Sequence, residues 1–351
     1  MSTTGTETDT RGSPAWLELM RFLGIFAIYL GFMGEAAGRA SPYVQLYHVP
    51  MLFFVLGGYE ALYKEIMPFK KILVVKIKAT VVPYFVYSLL SLGVHYLNQE
   101  TDIAPVLASL KQIFLGIRHQ LFAPALWFPL CLFIINLLFW TLRRYVRNRW
   151  VILGITFLSF LVATQLLPNN PLENPSWIWN IDSALYYIFY HGIGFVAYET
   201  INKLMHSRDK RMQYILTFSW LLAGIYAFSI FFGRHYLVDA TAQIPVLKDL
   251  ALVINALVIT WFNLGLAKFF IGIRQFEAIG ENTLRHCGNE FIVKSIFTQG
   301  TALLGLNLVI PTPMAALVFT FVLLLFSQHV LVPPEKWLLR TVERLLPNTD
   351  Q

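Results

Sequence analysis

The sequence predicts an all-α fold: a polytopic transmembrane bundle of about ten helices with both termini cytoplasmic. Three observations predict it. Hydrophobic residues make up 56% of the 351 and charged residues only 13%, a balance that excludes a large soluble domain and fits a multi-spanning membrane protein. Apolar runs of about 20 residues, the length a bilayer-crossing helix needs, recur along the chain with short polar breaks between them. Lysine and arginine divide unequally among the breaks. Nineteen lie on the side of the N terminus, clustered at 64–78, 143–149, 203–211 and 336–344, against Arg39, Lys111, Arg118, Arg234 and Lys248 on the other. The positive-inside rule then puts both ends in the cytoplasm.

Residues 1–15 are Thr-rich, with Glu7, Asp9 and Arg11, and lack the basic start and cleavage site of a signal peptide. They are expected to form a disordered cytoplasmic tail, with the first apolar segment, 16–36, retained as a helix. That segment carries Glu18, Arg21 and Glu35. A charge inside a membrane helix costs about 2.5–3.5 kcal/mol on insertion scales, so these residues are expected to face the bundle interior. At about 100° per residue, Arg21 and Phe32 project within about 20° of each other, roughly 16 Å apart along the axis. Glu18 and Glu35 fall within about 60° of the same direction. The second segment, 43–63, opens on His48 and Pro50 and runs to Gly57-Gly58. Paired glycines allow close backbone approach and predict tight packing of the first two helices. His48 is then placed in one layer with Glu35, a carboxylate–imidazole pairing of the kind used in general-base catalysis. An interfacial histidine is the alternative reading.

The third and fourth segments are 77–97 and 124–142. Between them, residues 98–123 carry Val106, Leu110, Ile113 and Ile117 at helical spacing, which predicts a short amphipathic helix on the outer surface. Segments 150–167 and 183–203 are joined by the proline-broken stretch Leu167 to Trp179, whose tryptophans suit an interfacial cap. Segments 213–232 and 249–271 follow. The ninth, 284–309, presents Asn282, His286, Glu290 and Lys294 at i, i+4 spacing with Asn289 alongside. Such a stripe needs partners inside a membrane. Glu290 and Lys294 can pair with each other, and His286 with Glu290 could serve acid–base chemistry. The tenth segment is 313–333, and 335–351 reads as an amphipathic cytoplasmic tail. No internal repeat is visible, which weighs against an inverted-repeat transporter.

The two cysteines, Cys131 and Cys287, lie in separate apolar segments and offer neither a disulfide framework nor a metal-ligand cluster, so no metal is expected. The net charge of +7 is accounted for by the orientation of the bundle and requires no nucleic acid. The basic face suits membrane lipid headgroups or an anionic cytosolic ligand.

With these residues in place, the chain resembles the acyltransferase-3 family of membrane O-acyltransferases, in particular its sugar O-acetylase branch. Glu18-Leu-Met-Arg21 is similar to the acidic-x-x-Arg/Lys opening of the family's first helix. Tyr47-His-Val-Pro-Met-Leu-Phe-Phe-Val-Leu-Gly-Gly-Tyr59 resembles its Phe-His-x-Pro-Leu-Phe-Phe-x-x-Ser-Gly-Tyr. Lys76-Ile-Lys-Ala-Thr-Val-Val-Pro-Tyr84 is similar to its basic stretch before Pro-Tyr, and Ala125-Leu-Trp-Phe-Pro-Leu130 to its Leu-Trp-Phe-Leu. Phe189-Tyr-His-Gly-Ile-Gly194 and Gly280-Glu-Asn-Thr-Leu284 resemble the later Phe-Phe-x-Gly and Gly-x-Asn-Ser-Leu.

The resemblance implies one integral domain over 16–334 in a bacterial inner membrane. It implies transfer of an acyl group, acetyl in the similar branch, from acyl-CoA to a hydroxyl of a cell-surface glycan or lipid-linked sugar. The family signature is an arginine in helix one and a histidine eleven residues later. Arg21 matches the arginine, but the histidine position is Phe32. Phenylalanine accepts no proton, and general-base help is worth about 10²–10⁴ in rate. Gly57 stands in place of a serine, Ala79 in place of a basic residue, and Glu290 where many members have a second histidine. Two readings follow. In one, Arg21, Glu18 and His48 steered by Glu35 are catalytic, Lys76, Lys78 and Trp127 hold acyl-CoA, and His286, Glu290 and Asn282 complete the polar interior. In the other, catalysis is lost and the bundle is a transporter or a non-catalytic partner in glycan assembly.

Overall fold

The structure, a computed structural model, describes residues 13–96, 103–306 and 308–344. Arg11 with most of the expected N-terminal tail, residues 98–102 and the tail beyond 344 lie outside the described residues. The described fold is all-α. In chain order its helices are α1 (Ala15–Gly31), α2 (Ala40–Gln45) and α3 (His48–Leu62), then α4 (Phe69–Tyr96), α5 (Ile103–Leu115) and α6 (Pro124–Tyr145). They continue with α7 (Arg149–Gln165), α8 (Ile181–Met205), α9 (Lys210–Phe231), α10 (Tyr236–Thr241) and α11 (Pro245–Phe269). The last are α12 (Arg274–Glu281), α13 (Thr283–Leu303) and α14 (Pro313–Val342).

Each of the ten expected segments falls on a helix, and α4, α6, α9, α11 and α14 are long and apolar enough to cross a membrane. The protein is thus an integral, multi-pass membrane protein. The first expected segment is cut short. Gly34 at φ +56° breaks the chain, and a left-handed residue favours glycine and ends a helix. Phe32 becomes the C-cap of α1, and Glu35 falls in the following 3₁₀ turn, Gly34–Ala37. Glu35 therefore does not share the α1 face with Glu18 and Arg21. Near the other end, Glu335 is no part of a surface tail: it lies inside α14 and is buried. The expected amphipathic segment forms α5, with Ile113 buried and Leu107 and Phe114 exposed.

α1 is buried on nearly every side and touches α3, α11, α12, α13 and α14. A helix apolar all round belongs in a core. Phe22 of α1 stacks on Phe276 of α12 with ring centroids 4.2 Å apart. The Gly57-Gly58 pair works differently from the expectation. A side-chain carbon at Gly57 would strike the backbone carbonyl of His191, and one at Gly194 that of Phe54. α3 and α8 therefore meet backbone to backbone through reciprocal glycines, and α1 takes only the lighter contact of Leu17 against Gly58. Small residues at such a crossing drive helix association where lipid supplies no hydrophobic force.

α4 and α14 each contain a π-helical turn, Ile77–Val81 and Ser327–Leu331. Both are followed by proline, at Pro83 and at Pro333-Pro334. A proline inside a helix has no N–H to donate four residues back and its ring crowds that carbonyl. Widening the preceding turn accommodates both effects. At the far edge, α9 packs on α11 and α2 and leaves Phe218, Leu221, Ile225 and Phe228 exposed, as a lipid-facing helix does.

Gly194→Val is expected to lower the stability of the detergent-solubilised protein by at least the roughly 1–3 kcal/mol of core overpacking. Gly154, with nothing within 4 Å of an added side-chain carbon, serves as the control: Gly154→Ala should raise it by about 0.5–1 kcal/mol. Thermal unfolding of the two variants checks both.

Candidate functional site

Arg21 is the centre of one polar cluster. Its Nη1 donates to Glu18 Oε2 at 3.1 Å and to the Tyr59 hydroxyl at 3.5 Å. Nε donates to Thr283 Oγ1 at 3.3 Å, and Nη2 to the carbonyl of Glu281 at 3.0 Å. The Tyr59 hydroxyl in turn donates to Glu18 Oε1, which also accepts from Ser13 Oγ at 2.8 Å. The guanidinium lies 5.3 Å from the Tyr59 ring centroid. A planar fork of five N–H donors suits such a junction, where a lysine would supply one point charge. The cluster joins α1, the end of α3, the C-terminal end of α12 and the first residue of α13. Carbonyls at a helix C-terminus carry partial negative charge, which favours a cation there. Burial, and then the charge of Glu18, push the Glu281 carboxyl above its usual range. Spacing on α1 places Glu18 and Arg21 on one face; that they pair, and that Tyr59 and Thr283 join them, depends on the fold.

A second cluster is basic. Lys76 Nζ donates to Asn136 Oδ1 at 2.9 Å, tying α4 to α6. Arg143 donates to the Glu60 carboxylate at 2.5 Å and its carbonyl at 3.0 Å. Lys78 is 6% exposed, and among the described residues it has no hydrogen bond or ion pair. His191 of α8 is buried, edge-on to Phe139 at 4.5 Å, with both ring nitrogens unpartnered among the described residues. A lysine whose stem is packed away and whose ammonium has no counter-charge among the described residues suits an anion supplied from outside. Trp127 is not part of this cluster. It lies about 13.5 Å up α6 from Asn136, at 1.5 Å rise per residue, under the guanidinium of Arg118 at 4.8 Å.

Arg118 holds the loops at that opposite end. It donates to the Tyr187 hydroxyl at 3.2 Å and to the Leu172 carbonyl, while its backbone N–H donates to Asn180 Oδ1 at 2.7 Å. The Leu167–Trp179 stretch is thereby clamped onto the segment after α5, with Trp179 and Asn180 in left-handed conformations at φ 55° and 58°. The Nδ1 of His48 bonds the Val44 carbonyl at 2.7 Å. Glu35 is exposed, and no hydrogen bond or ion pair joins it to His48 among the described residues.

The α13 stripe divides in two. Asn282 donates to the Ala278 carbonyl and to Gln328 Oε1, and accepts from Arg285. His286 Nδ1 meets Ser327 Oγ at 2.9 Å and Nε2 meets Gln328 Oε1 at 3.0 Å. Asn289 donates to Glu335 at 2.9 Å, which also accepts from the Tyr87 hydroxyl at 3.0 Å. This half faces the π turn of α14. Glu290, 2% exposed, pairs instead with Lys294, so His286 and Glu290 serve different neighbours. The Lys294 ammonium donates to the Phe32 carbonyl at 2.9 Å and lies 5.4 Å from the Phe32 ring centroid. Glu335 lies in the stretch whose amphipathic pattern reads as a surface tail, and nothing local marks it as a partner of Asn289 and Tyr87.

Among the described residues, no group of three or more His, Cys, Asp or Glu could hold a metal ion. A model of the acyltransferase domain of the acyltransferase-3 family matches residues 15–332. The chain belongs to that family, which gives it a membrane acyltransferase-type fold and supports an enzymatic role of that general class. No curated relative and no solved structure matches it.

Arg21→Met should destabilise the protein by about 3–5 kcal/mol, because it leaves the Glu18 carboxylate buried and unpaired. Adding Glu18→Leu should recover part of that loss. A double-mutant cycle on thermal unfolding in detergent measures the coupling.

Proposed function

We propose that the protein is a membrane O-acyltransferase that moves an acyl group, acetyl by resemblance, from acyl-CoA to a hydroxyl of a cell-surface glycan or lipid-linked sugar. The observation that carries the reading is Lys78, 6% exposed and without a hydrogen bond or ion pair among the described residues, in the family's basic stretch two residues from Lys76. Charge asymmetry among the loops favours a cytoplasmic location for that end of the bundle, with both termini beside it in a bacterial inner membrane. Acyl-CoA is a polyanion of the same compartment, and its phosphates supply the charge that Lys78 lacks. Arg21, held by Glu18 and Tyr59, ties α1 to the first residue of α13.

A second reading has one observation in its favour: Phe32 stands where the family histidine would be, and an aromatic ring takes no proton. On that reading the chain is a catalytically degenerate member that acts as a transporter or as a non-catalytic partner in glycan assembly.

Purified protein given radiolabelled acetyl-CoA and a hydroxyl acceptor is expected to form an ester. Absence of acetyl-CoA binding by calorimetry would favour the degenerate reading. A charge-assisted hydrogen bond is worth about 1.5–3 kcal/mol, so Lys78→Met should weaken acetyl-CoA binding by about ten- to a hundredfold while the melting temperature holds or rises.

A further inference from the structure

The Glu290–Lys294 pair occupies the end of α1 that Phe32 caps. Its ammonium lies against the carbonyl and the ring of Phe32, and its carboxylate is sealed behind that ammonium. The Lys294 side chain keeps 22% of its surface, and the neighbouring Phe32 is 38% exposed, so the pair opens on one accessible patch. A buried carboxylate with its ammonium partner is expensive, and a well-packed apolar pair of similar volume would serve stability as well or better. His286, one turn away, is bonded at both ring nitrogens by α14, the Asn289 amide nitrogen donates to Glu335, and His48 is bonded to Val44.

Acyl transfer from a thioester to a hydroxyl needs a group that takes the hydroxyl proton and a positive charge that offsets the anion forming on the carbonyl oxygen. An imidazole at position 32 would supply the first. We propose that in this chain the two tasks are divided between Glu290, as general base, and Lys294, as the electrostatic partner of the thioester oxygen, an assignment that rests on the acyltransferase reading. Lys294 swings from the Phe32 carbonyl onto the thioester oxygen and uncovers the carboxylate. The acceptor O–H gives its proton to Glu290 as its oxygen bonds to the thioester carbon. The tetrahedral oxyanion, held by Lys294, collapses with cleavage of the carbon–sulfur bond. The proton on Glu290 passes to the departing CoA thiolate, leaving an ester, free CoA thiol and the original ion pair.

The test follows ester formation from radiolabelled acetyl-CoA in the full chain, with acetyl-CoA affinity and melting temperature measured for every variant. Glu290→Gln and the shorter but still charged Glu290→Asp are expected to bind acetyl-CoA as the wild type does and to lose kcat, by about 10²–10⁴ for the glutamine. Lys294→Met should lose kcat with the acceptor KM little changed. Phe32→His added to Glu290→Gln should regain at least tenfold, which restoring a purely structural ion pair would not do. If the wild-type chain forms no ester, the acyltransferase reading fails. If it does, then a Glu290→Gln kcat within threefold of wild type overturns the pair's role. So does a loss that tracks the melting temperature and is not relieved by Phe32→His.

Discussion

A guanidinium taken out of water must be hydrogen-bonded on every side, and that requirement fixes where four helices meet. Arg21 can be satisfied only when Glu18 on its own helix, Tyr59 at the end of α3, the last carbonyl of α12 and Thr283 at the start of α13 converge. Removing any one partner leaves charge exposed to an apolar interior. α12 can come close enough because a side-chain carbon at Gly280 would strike the Glu18 carbonyl, and none is there. From this junction α1 runs through the middle of the bundle and presents its C-terminal end, Phe32, to α13.

α13 connects the two ends of the chemistry. It begins against Arg21, passes His286 and Asn289 to α14, then delivers Glu290 and Lys294 to the cap of α1. The polar positions share one spacing, yet helical drift and different neighbours send them to separate partners. An i, i+4 pattern thus says that partners exist without saying which.

The limits of the sequence follow from the range of the interactions involved. Apolar run length is a local property, so the positions of the helices could be read directly, as could the shared face of Glu18 and Arg21. The end of α1 could not, because Gly34 reads as one more small residue until its positive φ is known. Gly57 was legible as a point of close approach, but its partner, the His191 carbonyl, is more than a hundred residues away in sequence. Glu335 falls in the stretch that reads as an amphipathic tail, whereas a π turn carries the helix through Pro333-Pro334 and buries this residue. Lys294 was seen as the mate of Glu290; that it reaches Phe32 depends on tertiary placement alone.

The two π turns carry a further consequence. Each inserts one extra residue into the helical repeat, and one residue is a rotation of about 100°. Everything downstream in α4 and α14 is therefore turned by more than a quarter circle relative to an unbroken helix. Tyr87 and Glu335 both lie downstream of these turns, and they meet each other in the interior. Length changes in the two stretches are thus changes of facing: dropping a single residue from Ile77–Val81 or Ser327–Leu331 would swing the following side chains round the helix, sending buried polar groups toward the lipid and apolar ones inward.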